Sequence, residues 1–156
     1  MKVVYHCFGG AHASPTAAAI HLGILPREKR PNFTDMRRIP FFDEMTATNH
    51  GKLNYAGKDH SGNEVYFLAR RNNGTLITNI IKGFAGLKGE DPSEYYFIDC
   101  MQRFNLLMIT GGFTSRKLGW VSFGRPIVTL GTIFAYPALV SIVEKTIRRV
   151  RDREFT

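Results

Sequence analysis

A glycine-rich loop near the start of the chain carries the residues best suited to chemistry. It reads Gly9-Gly10-Ala11-His12-Ala13-Ser14-Pro15-Thr16 and follows a short apolar run. Glycines let backbone amides approach a ligand, and a helix that starts after the loop directs further N–H groups and a partial positive charge at it. Ser14 and Thr16 add hydroxyl groups, and His12 adds a proton donor or acceptor near neutral pH. The pattern predicts an anion-binding site, with an ordinary tight turn as the alternative.

Familiar phosphate-binding loops do not match this stretch. The Walker pattern started at Gly9 needs glycine and lysine where the chain has Ser14 and Pro15, and the dinucleotide pattern G-x-G-x-x-G fails as well. A cysteine phosphatase loop started at Cys7 would need arginine at Ala13. Cys7 is therefore interpreted as a small apolar residue facing the sheet, and its role stays open.

No metal site is expected, because the five histidines and two cysteines form no C-x-x-C, H-x-H or H-E-x-x-H spacing. No motif in the sequence indicates which cofactor, if any, the protein binds. Cys7 and Cys100 are too few for a disulfide framework, so we expect reduced thiols in a cytoplasmic protein.

Three strands are expected to position the loop, at residues 3–8, 95–99 and 126–130. Each precedes a helical segment, which favours neighbouring parallel strands whose carboxyl ends open on one edge of a sheet. Ser14 is the expected N-cap of the first helix, with Pro15 at its first position. The third strand would place Gly131 and Thr132 at the same edge as the glycine-rich loop.

The remaining stretches give a coarser picture. Turn residues between two β-rich runs predict an antiparallel hairpin inserted at about residues 50–70, and apolar spacing predicts helices at 75–87 and 138–151. Residues 39–42 are a candidate short strand, and residues 103–118 fit either a helix or a strand.

The predicted fold is therefore α/β: a three-layer, mostly parallel, Rossmann-like or P-loop-like sheet in a single domain over residues 1–156. Arg116 and Arg125 flank a short turn near the C-terminus, where both could reach one anion. A solvated surface is the alternative for each.

Charge adds a second hypothesis. The 156 residues contain 21 Lys and Arg against 13 Asp and Glu, a formal net charge of +8. Two groups hold much of the excess: a first basic cluster within residues 27–38 and a second within residues 145–153. Such a surface favours anionic partners, including nucleic acid, although acidic residues interrupt both clusters. No run of about 18 apolar residues predicts a membrane span.

The chain resembles a known family at several blocks. These are residues 6–14 with 17–23, then 62–66, 105–108 with 111–113 and 115–116, and 124–128 with 131–132 and 135–136. They are similar to the domain-of-unknown-function family numbered 3189, in which a second serine usually stands at the position of Ala13. The resemblance implies a cytosolic protein of Gram-positive, often spore-forming Firmicutes, and no established activity.

Together these observations predict a protein that binds a phosphate- or carboxylate-bearing small molecule or nucleotide at the loop. Whether it is an enzyme is left open. If it is, His12 would act as acid and base in a group-transfer or hydrolytic reaction, with the loop amides holding the anion. The alternative is a nucleic-acid- or ribosome-associated protein without catalysis, which uses the two basic clusters.

Overall fold

The computed structural model describes residues 1–103 and 121–154. Within them lie four strands and four helices. In chain order these are β1 (Lys2–Cys7), α1 (Ala13–His21), α2 (Phe33–Arg37), β2 (Asn54–Lys58), β3 (Glu64–Ala69), α3 (Gly74–Leu87), β4 (Tyr95–Asp99) and α4 (Val121–Glu154). Short 3-10 turns occupy Ala47–Asn49, Pro92–Glu94 and Cys100–Arg103.

The strands form one mixed sheet in the order β2-β3-β1-β4. β1 pairs in parallel with both β3 and β4, while β2 pairs antiparallel with β3. The α/β class and the mostly parallel sheet are thus confirmed. The predicted hairpin exists as β2 and β3, but β3 is also a central partner of β1 and not merely an insertion.

The core lies on one face of this sheet. α1 packs on β1 and β3, and α4 packs on α1. Val3, Tyr5 and Cys7 alternate along β1 toward this core, where Ile20 of α1 and Leu139 of α4 are fully buried. β1 therefore sits centrally, and its carboxyl end is fixed by neighbours on both sides.

The predicted strand at residues 126–130 is wrong, because this stretch belongs to α4. A short apolar run rich in β-branched residues fits a strand and a buried helix equally well, and here packing decides. Val128, Tyr136, Leu139 and Val143 are buried at helical spacing. The expected place of Gly131 and Thr132 at a strand end is also wrong, since the helix continues through both residues.

Three further expectations concern residues 39–42, β4 and residues 103–118. Residues 39–42 form turns and no strand. β4 is a strand as predicted, but it lies at the sheet edge and is half-buried. The helix-or-strand question for residues 103–118 falls, from residue 104 on, outside the described residues.

One described segment, Pro126–Arg153 within α4, is long and apolar enough to span a bilayer. A buried core helix meets the same criteria. The inner face of this segment packs into the protein, with Val128 and Leu139 fully buried.

Candidate functional site

The glycine-rich loop joins the carboxyl end of β1 to α1. The helix begins at Ala13 with His12 in the N-cap position, and no side chain caps it. Ser14 is therefore not the N-cap that the sequence predicts. It lies in the first turn, and its hydroxyl has another partner.

That partner is the thiol of Cys7. Its Sγ accepts a hydrogen bond from the Gly10 amide at 3.2 Å and shares a second with the Ser14 hydroxyl, also at 3.2 Å. Cys7 and Ser14 are both at most 1% exposed. The buried thiol thus connects Gly10 and Ser14 within the loop. The spacing of these residues in the sequence did not predict this role for Cys7.

Gly10 is required by both backbone conformation and space. Its φ is +67°, in the left-handed region that disfavours other residues. An added Cβ would lie 2.7 Å from the Cβ of Ala69 at the end of β3. The loop consequently presses against the neighbouring strand.

Several loop amides have no acceptor within the part of the chain that the structure describes. Among the described residues, none accepts a hydrogen bond from the amides of Gly9, Ala11, Ala13 or Ser14. Ala11, Ala13 and Ser14 are at most 1% exposed. The first turn of α1 contains no acidic residue that would offset these N–H groups. The arrangement is electropositive and rich in donors.

Thr16 is the second hydroxyl that the sequence singled out. It is fully buried, and its Oγ1 has no hydrogen-bond partner among the described residues. An apolar cleft beside α1 is lined by Pro15 and residues 39–41, but by none of the loop amides.

His12 is held by a residue far along the chain. Its Nε2 lies 3.0 Å from Oδ1 of Asp43, and the Asp43 amide donates to the Ala11 carbonyl at 3.0 Å. Phe41 and Asp43 both have left-handed backbones, with φ of +65° and +59°. Such strain in non-glycine residues often gathers at functional sites. The two contacts of Asp43, to His12 and to the Ala11 carbonyl, hold the turn at residues 41–43 against the loop.

Arg71 is a cation beside the start of the loop that sequence reasoning missed. Its amide donates to the Phe8 carbonyl at 3.0 Å, and its guanidinium lies 5.1 Å from the centroid of the Phe8 ring. Its Nε donates to Nδ1 of His50 at 3.2 Å. The side chain is exposed and the backbone is left-handed, with φ of +51°.

A second group of polar side chains lies at the same edge, on the other face of β1. Arg70 donates to Nδ1 of His6 at 3.0 Å and to the Asp99 carboxylate at 2.9 Å. Burial lowers the pKa of His6, while the nearby Asp99 charge acts in the opposite direction. Arg70 is thus neutralised by Asp99.

The remaining predicted residues are Arg116, Arg125, Gly131 and Thr132. Arg116 lies outside the described residues, and Arg125 belongs to the first turns of α4. Gly131 and Thr132 lie inside α4 and not at a strand end, and the Thr132 hydroxyl donates to the Val128 carbonyl at 2.8 Å. Tyr136 is a core residue whose hydroxyl donates to the Pro26 carbonyl.

Part of the second basic cluster is used within the chain. Arg148 faces Glu144, Arg149 donates to the Tyr96 hydroxyl, and Arg153 lies over the Tyr96 ring. Among the described residues, no group of three or more His, Cys, Asp or Glu could hold a metal ion.

A family model described as "Protein of unknown function (DUF3189)" matches residues 2–148. The chain belongs to this family. The DUF3189 match runs from β1 through most of α4 and contains the Gly9–Thr16 loop, Asp43 and Arg71. No curated protein and no solved structure matches the chain.

Proposed function

We propose that the protein binds a phosphate- or carboxylate-bearing small molecule or nucleotide at the Gly9–Thr16 loop. The observation that carries the proposal is a set of buried loop amides, at Ala11, Ala13 and Ser14, for which the described residues provide no acceptor. Buried backbone N–H groups in proteins are nearly always paired. One anionic oxygen group can accept from several converging amides at once.

The position of the loop in the fold also supports anion binding there. Ligands of open α/β sheets bind beyond the carboxyl ends of the strands, and the loop follows the central strand of three that run in parallel. A three-layer, Rossmann-like or P-loop-like arrangement in a cytoplasmic protein is part of the proposal.

Arg71 supplies the positive charge. Unlike Arg70, which is paired with Asp99, Arg71 makes its side-chain hydrogen bond to a histidine and remains exposed. Its guanidinium over Phe8 places it beside the first loop residues. A guanidinium is well suited to phosphate and carboxylate oxygens.

His12 is the proposed acid and base for a group-transfer or hydrolytic step. The carboxylate of Asp43 holds the imidazole ring at 3.0 Å, as carboxylates orient histidines in acid–base pairs. Because His12 is 92% buried and bound to Asp43, replacing it would also cost stability. Arg71 is the better residue for a test.

The test is a thermal-shift screen over inorganic phosphate, nucleotides and sugar phosphates. A ligand at about 100 times its Kd stabilises the folded state by roughly 2.7 kcal/mol, which raises Tm by several degrees. Arg71→Asn keeps a residue that tolerates a left-handed backbone but removes the charge. We expect it to weaken ligand affinity about tenfold or more, as loss of a charged hydrogen bond does.

Arg30→Asn is the matched control, since it removes the same charge from an exposed loop position. It should leave the ligand response unchanged. The proposal fails if no compound raises Tm, or if both variants weaken the response equally.

A further inference from the structure

The two cysteines of the chain lie at the same end of neighbouring strands. Cys7 is the last residue of β1, and Cys100 follows directly after β4. The parallel pairing of these strands matches His6 with Asp99, and the two side chains approach to 3.8 Å. The next pair in this register is Cys7 with Cys100.

The register continues past the ends of the two strands. One position beyond the cysteines, the Phe8 amide donates to Sδ of Met101 at 3.0 Å. Neighbouring strands lie about 4.8 Å apart, which is within the range of roughly 4.4–6.8 Å between the Cα atoms of a disulfide. The backbone therefore holds Cys7 and Cys100 at a separation that a disulfide can bridge.

Both thiols face the same side of the sheet. Cys7 is 1% exposed and Cys100 is 0% exposed, and both belong to the apolar core beneath α1. Burial raises the pKa of Cys100, and the charge of Cys7 acts in the same direction, so the two sulfurs lie within electrostatic reach of each other. The side chains are thus placed to meet, as well as the backbones.

We propose that Cys7 and Cys100 are a site of reversible oxidation, at which a hydroperoxide converts the two thiols to a disulfide and thereby loosens the Gly9–Thr16 loop. Both cysteines are free thiols in this structure. The disulfide is independent of the proposed function, and only its effect on ligand binding rests on that function.

Hydrogen peroxide supplies the oxidising equivalents. Cys7 Sγ attacks the O–O bond, which gives a sulfenic acid and releases one water. Cys100 Sγ then attacks the sulfenic sulfur: the S–S bond forms, the S–O bond breaks, and the hydroxide leaves with the Cys100 thiol proton as a second water. Cys7 reacts first, because the raised pKa of Cys100 keeps that residue a thiol and the thiolate is the nucleophile.

The disulfide would remove contacts that hold the loop. Cys7 Sγ accepts from the Gly10 amide and shares a hydrogen bond with the Ser14 hydroxyl, each at 3.2 Å. Gly10 lies against Ala69 of β3, whereas Cys100 follows β4, and these strands flank β1 on opposite sides. Bonding to Cys100 therefore draws the Cys7 sulfur away from Gly10, and it removes the thiol proton.

Intact mass spectrometry tests the disulfide on the whole, folded chain. The protein is treated with hydrogen peroxide, the peroxide is removed with catalase, and the chain is then unfolded and alkylated. We expect a monomer that has lost two hydrogens and takes up no alkylating agent, and we expect dithiothreitol to restore two alkylatable thiols. The sequence contains two cysteines, so a disulfide within one chain joins these two.

Three other outcomes would overturn the proposal. Thiols that remain alkylatable would show that both cysteines are only small core residues, as buried free cysteines commonly are. Disulfide-linked dimers would show that the sulfurs meet another chain more readily than each other. Sulfinic acid at Cys7 without a disulfide would show that Cys100 does not reach it.

Amide hydrogen exchange at Gly10 tests the loosening of the loop. Oxidation should speed exchange roughly three- to tenfold, as the loss of one hydrogen bond does. Cys100→Ala is the matched control, because it removes the second sulfur and leaves Cys7 with its loop partners. In this variant peroxide should form no disulfide within the chain, and reduction should find Gly10 exchange unchanged from that of the reduced wild type.

A disulfide that leaves Gly10 exchange at its reduced rate would overturn the loosening. Neither measurement uses a ligand, so a failure of the proposed function would leave both results unaffected. A third measurement joins the two: for any compound that raises Tm of the reduced protein, oxidation should weaken the response of the wild type and not that of Cys100→Ala. An equal response of oxidised and reduced wild type would contradict control of the loop by this pair.

Discussion

At the scale of single residues, His12 and His21 are both buried, and each contacts a carboxylate. His12 contacts Asp43, and His21 lies 3.1 Å from Asp59 while it shares a 2.8 Å hydrogen bond with the Tyr5 hydroxyl. Burial lowers the pKa of His21, although hydrogen bonding and charge from Asp59 act to raise it. Burial therefore outweighs the carboxylate, and the folded state favours neutral His21.

This balance predicts how stability depends on pH. His21 and His6 both have lowered pKa values, so the unfolded chain binds more protons below its own histidine pKa of about 6.5. Their contribution to stability is complete above that pH and is lost as pH falls toward the folded-state pKa values. Urea unfolding at pH 7.5, 6.5 and 5.5 should show a falling free energy of unfolding.

His21→Gln should flatten this decline, because it removes one of the two groups. A free energy that rises between pH 7.5 and 5.5 would show that the charged histidines are favoured in the folded state. That result would contradict the dominance of burial.

The sequence identifies some site residues and misses others for a physical reason. Gly10, His12 and Ser14 stand out because they lie within one stretch of five residues. Asp43 and Arg71 reach the loop across 31 and 63 residues, to His12 and Phe8 respectively, and no local spacing encodes such contacts.

At the scale of elements, the unit of β1, loop and α1 depends on a close approach to β3. Gly10→Ala combines a left-handed backbone, which costs about 1–2 kcal/mol, with overlap at Ala69, which adds roughly 1–3 kcal/mol. We expect a total loss of about 2–5 kcal/mol in the free energy of unfolding. Chemical denaturation measures it.

Gly62→Ala isolates the backbone part of that cost. Gly62 has φ of +84° in the β2–β3 turn, but an added Cβ there meets nothing within 4 Å. It should lose only about 1–2 kcal/mol. Equal losses at both positions would mean that Ala69 yields and that the loop is not tightly held against β3.

An element is predictable from this sequence where its apolar residues have a clear periodicity and turn residues mark its ends. β1, the β2–β3 hairpin and α3 follow from alternation, turn residues and helical spacing. The first half of α4 does not, since Gly124, Pro126 and Gly131 resemble the boundaries of a strand. Contacts with the rest of the protein keep this stretch helical, and they are invisible in a short window.

At the scale of the whole molecule, the net charge of +8 suits either kind of anionic partner, a small molecule or a nucleic acid. Local geometry is more specific than overall charge. Three arginines of the second basic cluster contact Glu144 or Tyr96 of the same chain, which leaves fewer cations for an extended anionic partner. The loop, by contrast, presents buried donors that have no acceptor in residues 1–103 and 121–154.

The central claim is that these donors hold an anion. The most direct measurement is titration of the isotope-labelled protein with inorganic phosphate while the backbone amide resonances are followed by NMR. We predict saturable shifts at Gly9, Ala11, Ala13 and Ser14, and we predict that Arg71→Asn weakens the titration. Unmoved loop amides, with shifts confined to the two basic clusters, would contradict the account.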